Sequence, residues 1–314
     1  MIKFADRQPS THKLGRAVGA FVSGDGRQIR EYTKRMGLGI EIAYPMTRAI
    51  RFVREPHQIF RRRAALAGIK RSPTLAGRLD KRTGWGVFRP GEIPGTADFV
   101  ARLNAIVDTR RGGGYPDGEP FRRTLISPTD LQAHPALLDF LLSDAILQTA
   151  ADYLGAVPVL QTFQVWQSPP NSTVKGSQNF HRDNIDHRQV KFFVNLNDIG
   201  MEQGPFAFLP ADVSKRVSSG LGHWRRRIAD DEIFAHCSPS DTIYAVGAVG
   251  TCHVVDSSRC FHFVARTKSG ERLLAMFNFA SCYCPMKTVE SACDAVRSWY
   301  RGGDRLRRLA LGLD

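Results

Sequence analysis

Val190, Phe192, Val194 and Leu196 alternate with Lys191, Phe193, Asn195 and Asn197. A period of two sustained through this run predicts a β-strand with one apolar and one polar face. The same texture recurs around it. Residues 157–166 are β-rich and end at the turn Ser168-Pro169-Pro170-Asn171, and 206–209, 242–246, 251–255 and 273–279 are further short apolar runs between turn signals. Many short strands closed by turns predict an antiparallel sandwich or barrel and argue against a parallel sheet. Upstream the period changes. Leu131, Leu137, Leu138, Leu141 and Leu142, then Ile146, Leu147, Ala150 and Leu154, fall at spacings of mostly three and four, with Ser143 placed to cap the second helix and Gly155 to end it. Residues 97–108 predict another helix, and 46–66 predict short basic helices broken at Pro56.

The chain has 314 residues, 42% hydrophobic and 24% charged, a composition that suits a globular protein with a substantial core. No apolar run approaches the roughly 18 residues of a membrane span, and MIKFADRQPSTHK lacks the apolar centre of a secretory leader. The expectation is a cytoplasmic protein. Cys237, Cys252, Cys260, Cys282, Cys284 and Cys293 all lie in the last third, and in that compartment they read as free thiols. The close pair Cys282 and Cys284 has no second pair to complete a structural zinc site.

The net charge of +14 is unevenly distributed. Residues 1–90 hold 20 Lys and Arg against 6 Asp and Glu, whereas 91–314 hold 24 of each sign. This asymmetry predicts a basic N-terminal extension over 1–83, partly helical or loosely ordered, a main domain over 84–290, and a basic C-terminal helix or tail over 291–314. The extension reads either as a solvated arm or as a contact for an acidic partner. Nucleic acid is disfavoured, because no stacking platform or known nucleic-acid module accompanies the arginines.

The chemistry concentrates in residues 178–210. If His181-Arg182-Asp183 is extended, its imidazole and carboxylate share a face. His262, at the head of another apolar run, is the candidate third ligand, and two imidazoles with a carboxylate suit iron with open coordination positions. His253 and His187 are rival ligands. A His-x-Asp triplet alone is expected about once by chance in a chain with nine histidines, so the weight falls on its context. Kinase chemistry is excluded, since Arg188 stands where a catalytic loop needs Asn and no Asp-Phe-Gly follows; Val217-Ser218-Ser219-Gly220 supplies no nucleophile elbow.

His181-Arg182-Asp183, the strand behind it, Gly204-Pro205, and His262 followed ten residues later by Arg272 together resemble the phytanoyl-CoA dioxygenase family of iron(II) and 2-oxoglutarate oxygenases. The resemblance extends over residues 85–284. It implies a mainly β fold with flanking helices, a double-stranded β-helix (jelly-roll, cupin-like) barrel. It implies Fe(II), 2-oxoglutarate and O2, with His181, Asp183 and His262 as metal ligands and Arg272 receiving the distal carboxylate of 2-oxoglutarate. Arg266 competes for that last role, and Lys191, on the polar face of its strand, could supplement or replace it. The chain departs from the family at Ala211-Asp212-Val213 after Pro210 and at Phe263-Val264 after the distal His. Since Asp183 fills the position left open to halide in halogenating relatives, the resemblance implies hydroxylation or a related oxidation of a small organic substrate. Gln164, Trp166 and Trp224 are the candidate substrate contacts. The alternative is a non-catalytic jelly-roll module that binds an acidic partner through its basic N-terminal region. Neither substrate identity nor oligomeric state is legible in the residues.

Overall fold

The computed structural model describes residues 40–111, 115–116, 121–183, 185–221, 227–284 and 292–313. Strands β1 (Trp85–Phe88), β2 (Tyr115–Pro116), β3 (Arg123–Ile126), β4 (Val159–Ser168), β5 (Gln189–Asn195), β8 (Cys252–Val255) and β10 (Arg272–Ala280) form a seven-stranded antiparallel sheet in the order β1-β8-β5-β10-β4-β3-β2. A smaller sheet has the order β7-β6-β9, from β6 (Phe206–Phe208), β7 (Ile243–Tyr244) and β9 (His262–Val264). Residue 181 extends it through an antiparallel bridge to His262, and Phe180 bridges Ile228 beyond.

From β4 onward the chain passes to the bridge at 180–181, returns to β5, crosses to β6 and β7, returns to β8, crosses to β9 and returns to β10. That shuttling between two facing sheets is the double-stranded β-helix, or jelly roll. The sheets face each other as a sandwich and do not close into the single barrel expected from sequence.

Both faces of the larger sheet are covered. Val190, Phe192 and Val194 of β5 join Phe163, Phe277 and Phe279 in a core under the helices, with Phe192 and Phe277 stacked, their centroids 4.7 Å apart. The opposite row carries Phe193, Trp166, Leu274 and Met276 against Phe206 and Phe208 of the smaller sheet, and Phe193 stacks on Phe206 at 4.1 Å. The alternation in β5 therefore separates two buried environments, one dry and one chemical, where the sequence suggested one buried face. Truncating a side chain such as Phe277 costs about 3–5 kcal/mol in cores of this kind.

The helices are α1 (Ile40–Arg54), α2 (Pro56–Ala64), α3 (Thr96–Arg110), α4 (Leu137–Leu141), α5 (Asp144–Leu154), α6 (Ala211–Leu221), α7 (Asp230–Phe234), α8 (Ala292–Arg297) and α9 (Arg305–Ala310). Pro56 opens α2, where its missing N–H is not needed. Ser143 caps α5 by accepting from the Ile146 amide, and Gly155 ends it with φ 77°. Ile69, Leu75 and Leu79 ahead of β1, and Leu306, Leu309 and Leu311 near the C-terminus, belong to the same core as the sheet. Packing thus ties the described parts at 69–79 and 306–311 to the sheet. Residues 112–114, whose glycines read as a surface loop in the sequence, lie outside the described residues. Among the described residues no helix is long and apolar enough to cross a membrane, and the five described cysteines are free thiols.

Candidate metal centre

His181 and His262 face each other across the smaller sheet. Each backbone amide donates to the other residue's carbonyl at 2.9 Å, and the rings approach to 4.2 Å between centroids. Asp183 follows two residues after His181, so the extended backbone returns its side chain to the same face. Its own amide is held by the Ser257 carbonyl at 2.9 Å. The result is one cluster in which a ligand atom from each of His181, Asp183 and His262 lies within 4.8 Å of the others.

The tautomers follow from the neighbours. His181 Nδ1 is 2.9 Å from the Asn179 carbonyl and His262 Nδ1 is 2.9 Å from the Cys260 carbonyl. A carbonyl only accepts, so both Nδ1 atoms carry the proton and both Nε2 lone pairs are presented for ligation. Burial, reinforced by the nearby His262, holds His181 well below the usual imidazole range, and burial lowers His262 to about 4 despite Asp183. Burial opposes the charge on Asp183, yet Lys191 and the two imidazoles outweigh it and keep the carboxyl below the ordinary range. Two neutral imidazoles and an ionised carboxylate are the donor set that a divalent metal requires.

Cross-strand register assigns the facing wall. Lys191, Asn278 and Thr162 form one row of β5, β10 and β4; Phe193, Met276 and Gln164 form the next; Leu274 and Trp166 continue it, and Arg272 stands opposite Ser168. Lys191 Nζ is 2.6 Å from Asp183 Oδ2, with side chains 14% and 18% exposed. Arg272 is 2% exposed. Its Nη2 donates to Ser168 Oγ at 2.7 Å, its Nη1 to the Gly204 carbonyl, and its Nε has no partner. Burial, with the charge of Arg122, lowers it to about 9, and among the described residues no carboxylate contributes. A buried guanidinium without a counter-charge is costly, and its fork is shaped to take a carboxylate.

Gly204 explains the Gly-Pro signal beside it. Its φ is +64°, and an added Cβ would lie 2.5 Å from the Ala265 carbonyl oxygen, so only glycine brings this carbonyl to Arg272.

Other sequence candidates are placed as follows. Trp166 is 8% exposed with its indole Nε1 unpartnered, under the Arg122 guanidinium at 4.0 Å from the ring centroid; Gln164 is half-buried in the same row. Trp224 lies outside the described residues. Arg266 Nε donates to the Thr173 carbonyl at 3.1 Å, which takes it to a surface connection and away from the row of Arg272. His253 is a packed histidine whose Nε2 faces the Val246 carbonyl at 3.1 Å, and His187 is likewise outside the cluster. Sequence reasoning missed the Ser168 and Gly204 contacts of Arg272, the contact of Lys191 with Asp183, and Arg227, which precedes Ile228 and so stands opposite His181.

No known protein-family model matches this chain, and no curated protein matches it in sequence. Solved structures do share its outline. EvdO2 from Micromonospora carbonacea var. aurantiaca is 15% identical, with 71% of this chain and 95% of that chain covered and a TM-score of 0.49. The epimerase SnoN in complex with Fe3+, alpha ketoglutarate and nogalamycin RO is 17% identical, with 77% and 93% covered and a TM-score of 0.47. HygX from Streptomyces hygroscopicus with nickel, 2-oxoglutarate and hygromycin B bound is 17% identical, with 64% and 84% covered and a TM-score of 0.47. These likenesses concern the fold alone; the chemistry of this chain lies in its own His181, Asp183, His262 and Arg272.

Proposed function

We propose that this protein is an Fe(II)- and 2-oxoglutarate-dependent oxygenase that oxidises a small organic substrate. The observation that carries the reading is the pairing of two sites across one interior. Two neutral imidazoles and a carboxylate converge from the smaller sheet, while a buried arginine with no counter-ion among the described residues stands on the larger one. His181, Asp183 and His262 would hold the metal, and Arg272, fixed by Ser168 and Gly204, would receive the distal carboxylate of 2-oxoglutarate. Ferrous iron with 2-oxoglutarate and O2 supplies oxidative decarboxylation to succinate and CO2 coupled to oxidation of the substrate.

The protein's own part is orientation and exclusion of water. The Asn179 and Cys260 carbonyls fix the two rings, and the Ser257 carbonyl fixes the Asp183 backbone. Phe193 and Phe206 close one side with apolar surface. A non-catalytic binding module would have no use for a buried cation opposite a cluster of metal-ligating groups.

The test is succinate formation by the full chain supplied with Fe(II), 2-oxoglutarate and O2. Turnover uncoupled from substrate is expected in the parent and is expected to vanish in His181→Ala and His262→Ala. Parent protein that neither binds Fe(II) nor forms succinate overturns the proposal.

A further inference from the structure

Lys191 adds a positive charge that the metal and 2-oxoglutarate do not need. Its ammonium lies 2.6 Å from Asp183 Oδ2, on the inward row of β5 beside Asn278. Without a metal, Lys191 and Asp183 neutralise each other. On the function proposed above, a divalent metal takes Asp183 as a ligand and 2-oxoglutarate brings two negative charges, one of which Arg272 receives. Asp183, the metal, Arg272 and 2-oxoglutarate then balance among themselves, and the charge of Lys191 is left over. The charges acting most strongly on His181, Asp183, His262 and Arg272 offer no second carboxylate among the described residues; beyond the site groups themselves they are Lys191, Arg227 and Arg122, all cations. An ammonium that loses its partner in a site this enclosed must gain another.

We propose that the substrate carries an oxyanion, a carboxylate or a phosphate, and that the Lys191 ammonium receives it beside the metal. One neighbouring side chain borders that place. Asn278, buried in the same row, donates its amide to Gln189 Oε1 at 3.0 Å, which leaves its side chain fixed beneath Lys191. Neutral substrates would leave the lysine uncompensated, so the charge acts as a selection against them.

The inference rests on the oxygenase reading, and one experiment separates the two. The full chain is saturated with Ni(II) and 2-oxoglutarate and titrated calorimetrically with acetate, inorganic phosphate and the neutral acetamide. In the parent, at least one of the two anions is expected to bind at least tenfold more tightly than acetamide. Lys191→Met is expected to lose that preference and Lys191→Arg to keep it, with Ni(II) and 2-oxoglutarate still bound by both. A preference for acetate alone assigns a carboxylate, and a preference for phosphate alone assigns a phosphate. Equal affinity for all three probes in the parent overturns the proposal, as does an anion preference unchanged in Lys191→Met. A tenfold loss of 2-oxoglutarate affinity in Lys191→Met also overturns it, because Lys191 would then be a co-substrate anchor. Should Lys191→Met fail to fold, Lys191→Gln decides by the same criterion. Failure of the parent to bind Ni(II) through His181 instead sinks the oxygenase reading itself.

Discussion

Arg272 and Ser168 stand directly opposite each other across β10 and β4, and the guanidinium Nη2 donates to the serine hydroxyl at 2.7 Å. The contact fixes the direction of a cation that has no carboxylate near it among the described residues. Arg272→Met removes a buried charge and keeps most of the volume, so the ligand-free variant is expected to be more stable, by about 1–3 kcal/mol. It should also bind 2-oxoglutarate at least about 50-fold more weakly, the loss of a charge-assisted fork, with metal affinity retained. Urea denaturation and calorimetry check the two halves; a less stable variant with unchanged 2-oxoglutarate affinity contradicts the role given to Arg272.

Asp183 and Lys191 neutralise each other while largely buried. Asp183→Ala leaves the ammonium alone and is expected to destabilise the metal-free protein by about 3 kcal/mol, while Asp183→Ala with Lys191→Met recovers most of that loss. The recovery, read by urea unfolding in the presence of chelator, distinguishes a charge effect from simple loss of packing.

His181 and His262 are held neutral by burial, His262 with a value of about 4. Protons therefore do not compete with the metal near neutrality. Ni(II) affinity should stay flat from about pH 8 to 6 and fall as pH drops towards 4. Because both groups bind protons less well folded than unfolded, the stability they contribute is complete above the ordinary histidine range near 6.5 and is lost as pH falls below it, for His262 through about 4. An apparent metal affinity that already halves between pH 7.5 and 6.5 would contradict buried, neutral ligands.

Asp256 is fully buried behind the site and pushed up to about 6 by burial, although the Tyr153 hydroxyl donates to it at 2.6 Å. A raised carboxyl contributes stability below the unfolded value near 4 and loses it as pH rises through about 6. Tyr153→Phe removes a donor that favours the ionised form, so its cost should be larger at pH 8 than at pH 5, by about 1–2 kcal/mol. Paired denaturation curves at the two pH values measure the difference.

Gly204→Ala places a methyl carbon against the Ala265 carbonyl and asks a left-handed backbone of a residue that avoids it. A loss of at least about 2 kcal/mol is expected, together with weaker 2-oxoglutarate binding, since the displaced carbonyl is the one that Arg272 grips. A stable variant with parent-like 2-oxoglutarate affinity would show that this loop does not position the arginine.

The alternation in β5 made the fold legible, because a period of two over a mixed apolar and polar run admits few other structures. His181 and Asp183 could be placed on one face for the same reason. Arg272 and Arg266 could not be separated by spacing alone. The structure separates them by parity and strand limits: Arg272 belongs to the inward row with Leu274 and Met276, whereas Arg266 lies past the end of β9. The contact between Lys191 and Asp183 was illegible because it depends on sheet order, which local pattern does not encode. The covering of both faces of β5 escaped detection too, as an inward row holding Lys191 and Asn195 reads as a solvated one.

The two histidines of the cluster reach each other only through a bridge between segments far apart in the chain. Until β9 docks beside residue 181, the polypeptide offers a metal no more than an isolated imidazole and a nearby carboxylate. On the function proposed above, the complete ligand set exists only once the smaller sheet has assembled. A chain ending before β9 would carry two of the three ligands and have no place to close the set.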